Sequence, residues 1–190
     1  MAETNPVTVL KKGSTKAAEK EKDENFTVVV GKKEIKVHKQ VIMDASSAFT
    51  AMFESGMKEC TENKMFIEEE DFSFEVVDAA VKLCYNCGDL SNLNLEDFLS
   101  LYRFSDKYEI KHIMNFVEEY LIKIPSPANV CQLIHFSKVF NASKLYQSSI
   151  DFLIKCSKDS TPVSGLDILD NDLLAIIFKS TFRPVVDTDI

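Results

Sequence analysis

Cys84 and Cys87 stand three residues apart, a spacing at which two thiols can share a metal ion or exchange a disulfide. A zinc site needs two more soft ligands with similar pairing. The other cysteines, Cys60, Cys131 and Cys156, are scattered, and no histidine pair joins them. Cys84 also falls on the apolar stripe of a helix, with Phe74, Val77 and Val81, where a thiol behaves as a small hydrophobe. That packing role is the stronger reading, so neither a metal nor a cofactor is expected. His38, His112 and His135 lie outside any local signature of a nucleophile or metalloprotease. His112 and His135 read as surface or packing residues on helices. Five glycines leave little scope for a backbone phosphate cradle. No catalytic residue is assigned, and the chain reads as a non-enzyme.

The 190 residues carry a formal charge of −8. An acidic surface repels phosphate backbones, and the basic residues do not cluster with aromatics, so nucleic acid is not an expected partner. Glu68-Glu69-Glu70-Asp71 reads as a solvated loop rather than a docking patch. Five cysteines at irregular spacing make no secreted disulfide framework. No signal-like apolar core opens the chain, and no membrane-length apolar run occurs. The sequons at Asn25 and Asn141 then read as chance matches. A cytoplasmic and/or nuclear protein is expected.

The elements that must position any site begin at Phe26. Residues 1–25 are polar, with a short strand possible at Pro6–Leu10 and a helix from Ser14 that has only two alanines to bury; a mobile arm is expected. Phe26–Val30 is β-branched, Gly31-Lys32-Lys33 supplies a turn, and Glu34–Val37 alternates polar and apolar, which predicts a hairpin. From His38 to Glu54 the apolar residues recur at helical spacing, with a break near Ser46-Ser47. Lys64–Ile67 reads as a short strand. Helices follow: one capped by Ser73, one capped by Asn94 with Asp97 near its start, then Glu109–Ile122, Ser126-Pro127 to about Phe140, Ala142–Cys156 with Leu145, Ser149, Phe152 and Leu153 on one face, and Asn171–Ser180. The fold class is α+β with helices dominant.

His38-Lys39-Gln40-Val41-Ile42, followed by Ser46, Phe49, Met52 and Phe53 in fixed register after a hairpin, resembles the signature of the BTB/POZ family. Tyr85 and Gly88 resemble its tyrosine–glycine turn, and Leu99, Leu101, Ser105-Asp106-Lys107-Tyr108 and Ile110 resemble the segment after it. Asn129, Leu133, Leu145 and Phe152 resemble paired helices that follow the domain in cullin adaptors, so the likeness covers about residues 26–158 and is nearest to MATH–BTB speckle-type adaptors. The resemblance implies a small sheet capped by helical hairpins over residues 26–123, after an arm at 1–25. It also implies a C-terminal helical extension of three-box or partial BACK type over 124–190. His38 would be structural, at the strand-to-helix junction.

The same resemblance implies a non-catalytic adaptor that recruits clients to a cullin-3 ubiquitin ligase. Met57-Lys58-Glu59 matches the family's apolar-x-Glu docking loop, with Phe53, Asp106 and Tyr108 at other positions on that cullin-binding surface. A thioether can fill a groove and a carboxylate can accept a charge-assisted hydrogen bond. The alternatives are a BTB scaffold or transcription-regulator partner without a cullin, or a competitor of other adaptors. Homodimerisation or heterodimerisation with another BTB protein would use an apolar N-terminal helix, and the charged arm here argues against that route. No segment before residue 26 or after 158 resembles the family's usual client-recognition domains, so the client is not readable.

Overall fold

The computed structural model describes residues 25–56, 61–88 and 90–182. The chain separates into two compact units, the first ending at Val117 and the second beginning at Glu118.

The first unit is built on a three-stranded sheet. Strands β1 (Phe26–Val30) and β2 (Lys33–Val37) pair antiparallel, Phe26 opposite Val37 and Val30 opposite Lys33. Strand β3 (Lys64–Ile67) pairs parallel with β1, so the order is β2-β1-β3. The central strand is the one with a nearly continuous apolar run, as burial on both faces demands. In β2 Val37 is buried and Ile35 half-buried, and the charged Lys33, Glu34 and Lys36 suit an edge strand.

Among the described residues this unit also holds α1 (Lys39–Ala45), α2 (Ser47–Glu54), α3 (Phe74–Cys84) and α4 (Leu95–Lys107). The expected break between α1 and α2 falls at Ser46, whose extended backbone ends one helix and whose hydroxyl accepts from Phe49 N–H at 3.0 Å to cap the next. Ser73 caps α3, and Asn94 with Asp97 forms a reciprocal capping box on α4. The predicted stripe on α3 was too narrow. Val76, Ala79, Ala80 and Leu83 are buried beside Val77 and Val81, while Phe74 and Cys84 are half-buried. The reason is that α3 packs against α1, β2 and α4 together.

Helix α5 (Lys111–Leu121) starts later than the expected Glu109. Glu109 instead closes α4: it adopts φ 52°, and Ile110 N–H reaches back to Ser105 C=O at 2.7 Å.

The second unit contains α6 (Val130–Val139), α7 (Ser143–Lys158), a 3-10 turn (Leu166–Ile168) and α8 (Asn171–Thr181). Its core joins Val130, Cys131 and Ile134 to Ile150, Leu153 and Leu173. Leu145, Ser149 and Leu153 are buried as read from the sequence, and Phe152 is half-buried. The start of α6 differs from expectation. Ser126 does not cap a helix with proline at its first position; its own N–H donates to Asn129 Oδ1 at 2.7 Å, and residues 127–129 form a turn. Asn129 also donates to Ile124 C=O at 3.1 Å, which pins the entry and delays the helix to Val130. Ala142 offers α7 no side-chain cap, and Glu118 supplies one, accepting from Lys144 and Leu145 N–H at 3.1 and 3.2 Å.

Candidate functional site

Helix α2 is short, and its position is set by rings. Phe49 and Phe53, four residues apart, lie on its buried face with centroids 6.2 Å apart. Phe53 meets Phe26 of β1 edge-on at 4.6 Å. Phe49 stacks on Tyr108, at the end of α4, with centroids 4.9 Å apart and planes 4° from parallel. Tyr108 in turn touches Phe104 at 4.6 Å, and Phe104 meets Phe72 edge-on at 5.2 Å. Six rings therefore run from β1 through α2 to α4 and the loop after β3. Each such pair adds about 0.5–1.5 kcal/mol beyond area burial.

Polar contacts fasten the same junction. Ser46, 2% exposed, donates its hydroxyl hydrogen to Tyr108 C=O while accepting from Phe49 N–H, so both functions of the hydroxyl are used. Ser47, its exposed neighbour, donates to the Glu109 carboxylate. Two cations sit on the rings: Lys39 Nζ lies 4.6 Å from the Phe53 centroid, and Lys107 Nζ lies 5.3 Å from Phe72 and 5.8 Å from Tyr108. Lys107 also pairs with Asp71 at 3.2 Å. Burial raises the Tyr108 phenol above its ordinary pKa, against the opposing charge of Lys107 and with that of Asp71.

His38 is held at the strand-to-helix junction. Its N–H donates to Tyr85 Oη at 2.7 Å, and Nδ1 lies 2.8 Å from the same oxygen. This is a structural role. His112 and His135 are exposed. Cys84 is half-buried, Cys87 is exposed, and burial pushes the Cys84 thiol up to about 12. A thiol so resistant to ionisation is a poor ligand or nucleophile. Among the described residues no group of three or more His, Cys, Asp and Glu side chains could hold a metal ion.

The five residues singled out in the sequence have different fates. Met57 and Glu59 lie outside the described residues. Phe53 is 5% exposed and faces inward. Tyr108 is half-buried and Asp106 is exposed on the last turn of α4. Phe53 and Tyr108 belong to one stack through Phe49, and the exposed Gly56, at φ 68° just past α2, directly precedes Met57. Sequence reasoning missed Ser46, Ser47 and Glu109 as a bonded set. Only the break at Ser46-Ser47 was visible, because the partners lie 62 residues away.

The BTB/POZ domain model matches residues 15–125. The chain belongs to the BTB/POZ family. It is 26% identical over 163 residues to "Protein maternal effect lethal 26" of Caenorhabditis elegans, covering 84% of this chain and 40% of that protein. It is 31% identical over 139 residues to "BTB and MATH domain-containing protein 42" of the same nematode, covering 69% and 32%. A "BTB/POZ domain-containing protein" of Arabidopsis thaliana is 26% identical over 161 residues, covering 83% and 65%. The chain thus spans less than two thirds of each of these relatives. The BTB match begins within residues that the sequence reading assigned to an arm, and residues 1–24 lie outside those described. Membership in this family makes the chain a protein-interaction module. No helix among the described residues is long and apolar enough to cross a membrane.

Proposed function

We propose that this BTB chain is an adaptor that docks cullin-3 through the face where α2 ends and α4 ends, and presents a client for ubiquitylation. The observation that carries the reading is the aromatic stack from Phe53 through Phe49 to Tyr108. It braces the exit of α2, from which the chain passes through Gly56 to Met57-Lys58-Glu59, against the end of α4 that carries Asp106. Rigid support lowers the ordering cost of a docking segment. In this reading Met57 fills an apolar groove, Glu59 accepts a hydrogen bond, and Asp106 with the edge of Tyr108 flanks them. Phe53 acts from beneath, because almost none of it is open to a partner. In this reading the docking module is residues 26–123, followed by a C-terminal helical extension of three-box or partial BACK type over 124–190. A relative whose name includes a MATH domain supports the adaptor role.

Calorimetry with the N-terminal domain of cullin-3 tests this. The wild type should release binding heat, and Met57→Asp combined with Glu59→Ala should abolish it. A wild-type protein silent at tens of micromolar would leave a BTB scaffold without a cullin as the function.

A further inference from the structure

The second unit holds a cavity of about 410 Å³, formed by α6, the 3-10 turn and the start of α8. Its floor includes the buried Ile134, Leu169 and Leu173, which belong to this unit's core. Val139 and Ile168 also line it, yet they keep 58% and 44% of their surface exposed. Cavities of roughly 300–1,000 Å³ take ligands, and a small-molecule site of that kind also has several polar groups converging on its occupant. Here the polar lining is His135 and the Lys138–Asp170 pair, whose members answer each other at 2.7 Å. A mainly apolar trough with exposed walls suits the side chains of a peptide better.

The charge around the cavity is mostly of one sign. Asp167 adjoins Ile168 and Asp172 adjoins Leu173, so three exposed carboxylates, Asp167, Asp170 and Asp172, stand on the elements of one side against the single ammonium of Lys138. The Asp170 hydrogen bond first, and then the charges of Asp170 and Asp172, hold that ammonium above its usual pKa. Lys138 is thus already answered, whereas Asp167 and Asp172 make no salt bridge among the described residues. An occupant that brings positive charge beside an apolar group fits such a rim. A second copy of this chain, with a formal charge of −8, does not.

We propose that this cavity is a docking site for a partner protein's peptide segment in which an apolar side chain is flanked by lysine or arginine. The apolar side chain enters between Val139 and Ile168 and rests on Ile134 and Leu173, while the basic neighbours lie over Asp167 and Asp172. Calling that partner a client rests on the adaptor reading above; the binding itself needs no cullin. The contact is small, so the affinity is micromolar and falls as salt rises.

The test uses the full chain, immobilised without cullin-3, and a library of nonamer peptides with a central leucine or phenylalanine and randomised neighbours. Recovered peptides should be enriched at least about threefold in lysine and arginine beside the central residue. The best of them, labelled with fluorescein, should lose about tenfold in affinity by polarisation with Val139→Glu or Ile168→Glu. Both positions are exposed, so circular dichroism of these variants should match wild type. Asp167→Lys combined with Asp172→Lys should turn the selection toward aspartate and glutamate. No enrichment, enrichment in acids by the wild type, or binding that the folded Val139 and Ile168 variants leave unchanged overturns the proposal. So does affinity that rises at least about tenfold when residues 183–190 are removed, because the chain's own Arg183-Pro184-Val185-Val186 is then the occupant. The calorimetry with cullin-3 is read separately, so either idea can fail while the other stands.

Discussion

Phenylalanine is used in opposite ways at the junction of β1, α2 and α4 in the first unit and at the end of α8 in the second. In the first, Phe26, Phe49, Phe53, Phe72 and Phe104 are all buried, and their ring contacts join residues far apart in the chain. In the second, Phe178 and Phe182 touch only across one helical turn and remain largely exposed. A ring that links distant elements fixes tertiary structure, whereas a ring that links neighbours on one helix leaves that helix's outer surface available. The first arrangement suits a rigid platform, the second a surface that something else covers.

The largest test of this contrast is truncation of one ring from each set. Phe49→Ala should destabilise the first unit by about 3–5 kcal/mol, because it opens a cavity between Phe53 and Tyr108. Phe178→Ala should stay within about 0.5 kcal/mol of wild type in dilute solution. Urea unfolding measures both, and equal losses would break the comparison.

The two units also differ in how they treat a buried serine. Ser46 uses its hydroxyl twice, whereas Ser149, on α7, finds no hydrogen-bond partner for its Oγ among the described residues. Ser46→Ala should cost about 1–3 kcal/mol, since it removes a helix cap and leaves Tyr108 C=O short of a donor. Ser149→Ala should be neutral or stabilising, because a buried unsatisfied hydroxyl is replaced by a methyl group. Melting curves of the two variants should therefore move apart.

The last effect, the smallest near neutral pH, sharpens the chemistry within the first unit. The Cys84 thiol, pushed up to about 12, stays protonated while an unfolded cysteine ionises near 9. The unfolded state then holds fewer protons than the folded one, so stability falls as pH rises between those values and is unaffected well below them. Cys84→Ala should flatten the decline. At pH 8 iodoacetamide should modify the exposed Cys87 well before Cys84, as peptide mass mapping would reveal.

Much of the scaffold was legible locally. The hairpin followed from β-branched residues and alternation, the break at Ser46 from a polar pair inside a helical pattern, and the caps at Ser73 and Asn94 from residue type. Errors arose where a neighbouring residue took over the role that the local signal suggested. Ser126-Pro127 looked like a helix start, but Asn129 takes the Ser126 N–H for itself. Glu109 looked like the first residue of a helix, yet it is the left-handed residue that ends the previous one. The candidate site was legible only as residue types in register. That Phe49 stacks on Tyr108 has no local signature, because the pairing exists only once the two helices meet.

The closure at Glu109 has counterparts at Asn86, Asn141 and Ser160. Each takes a positive φ, and in each case the next N–H reaches back five residues to a carbonyl. Glycine is the usual occupant of such a turn, and a side chain there costs about 1 kcal/mol. Four helices therefore end on residues that are not the easiest choice. At Glu109 the carboxylate has work to do, since it accepts from Ser47 and ties α2 to the far end of α4. Asn141 and Ser160 are exposed and carry no comparable tie among the described hydrogen bonds. For an engineer the molecule thus holds an untapped reserve of heat resistance, located in the turns of its second unit rather than in its core.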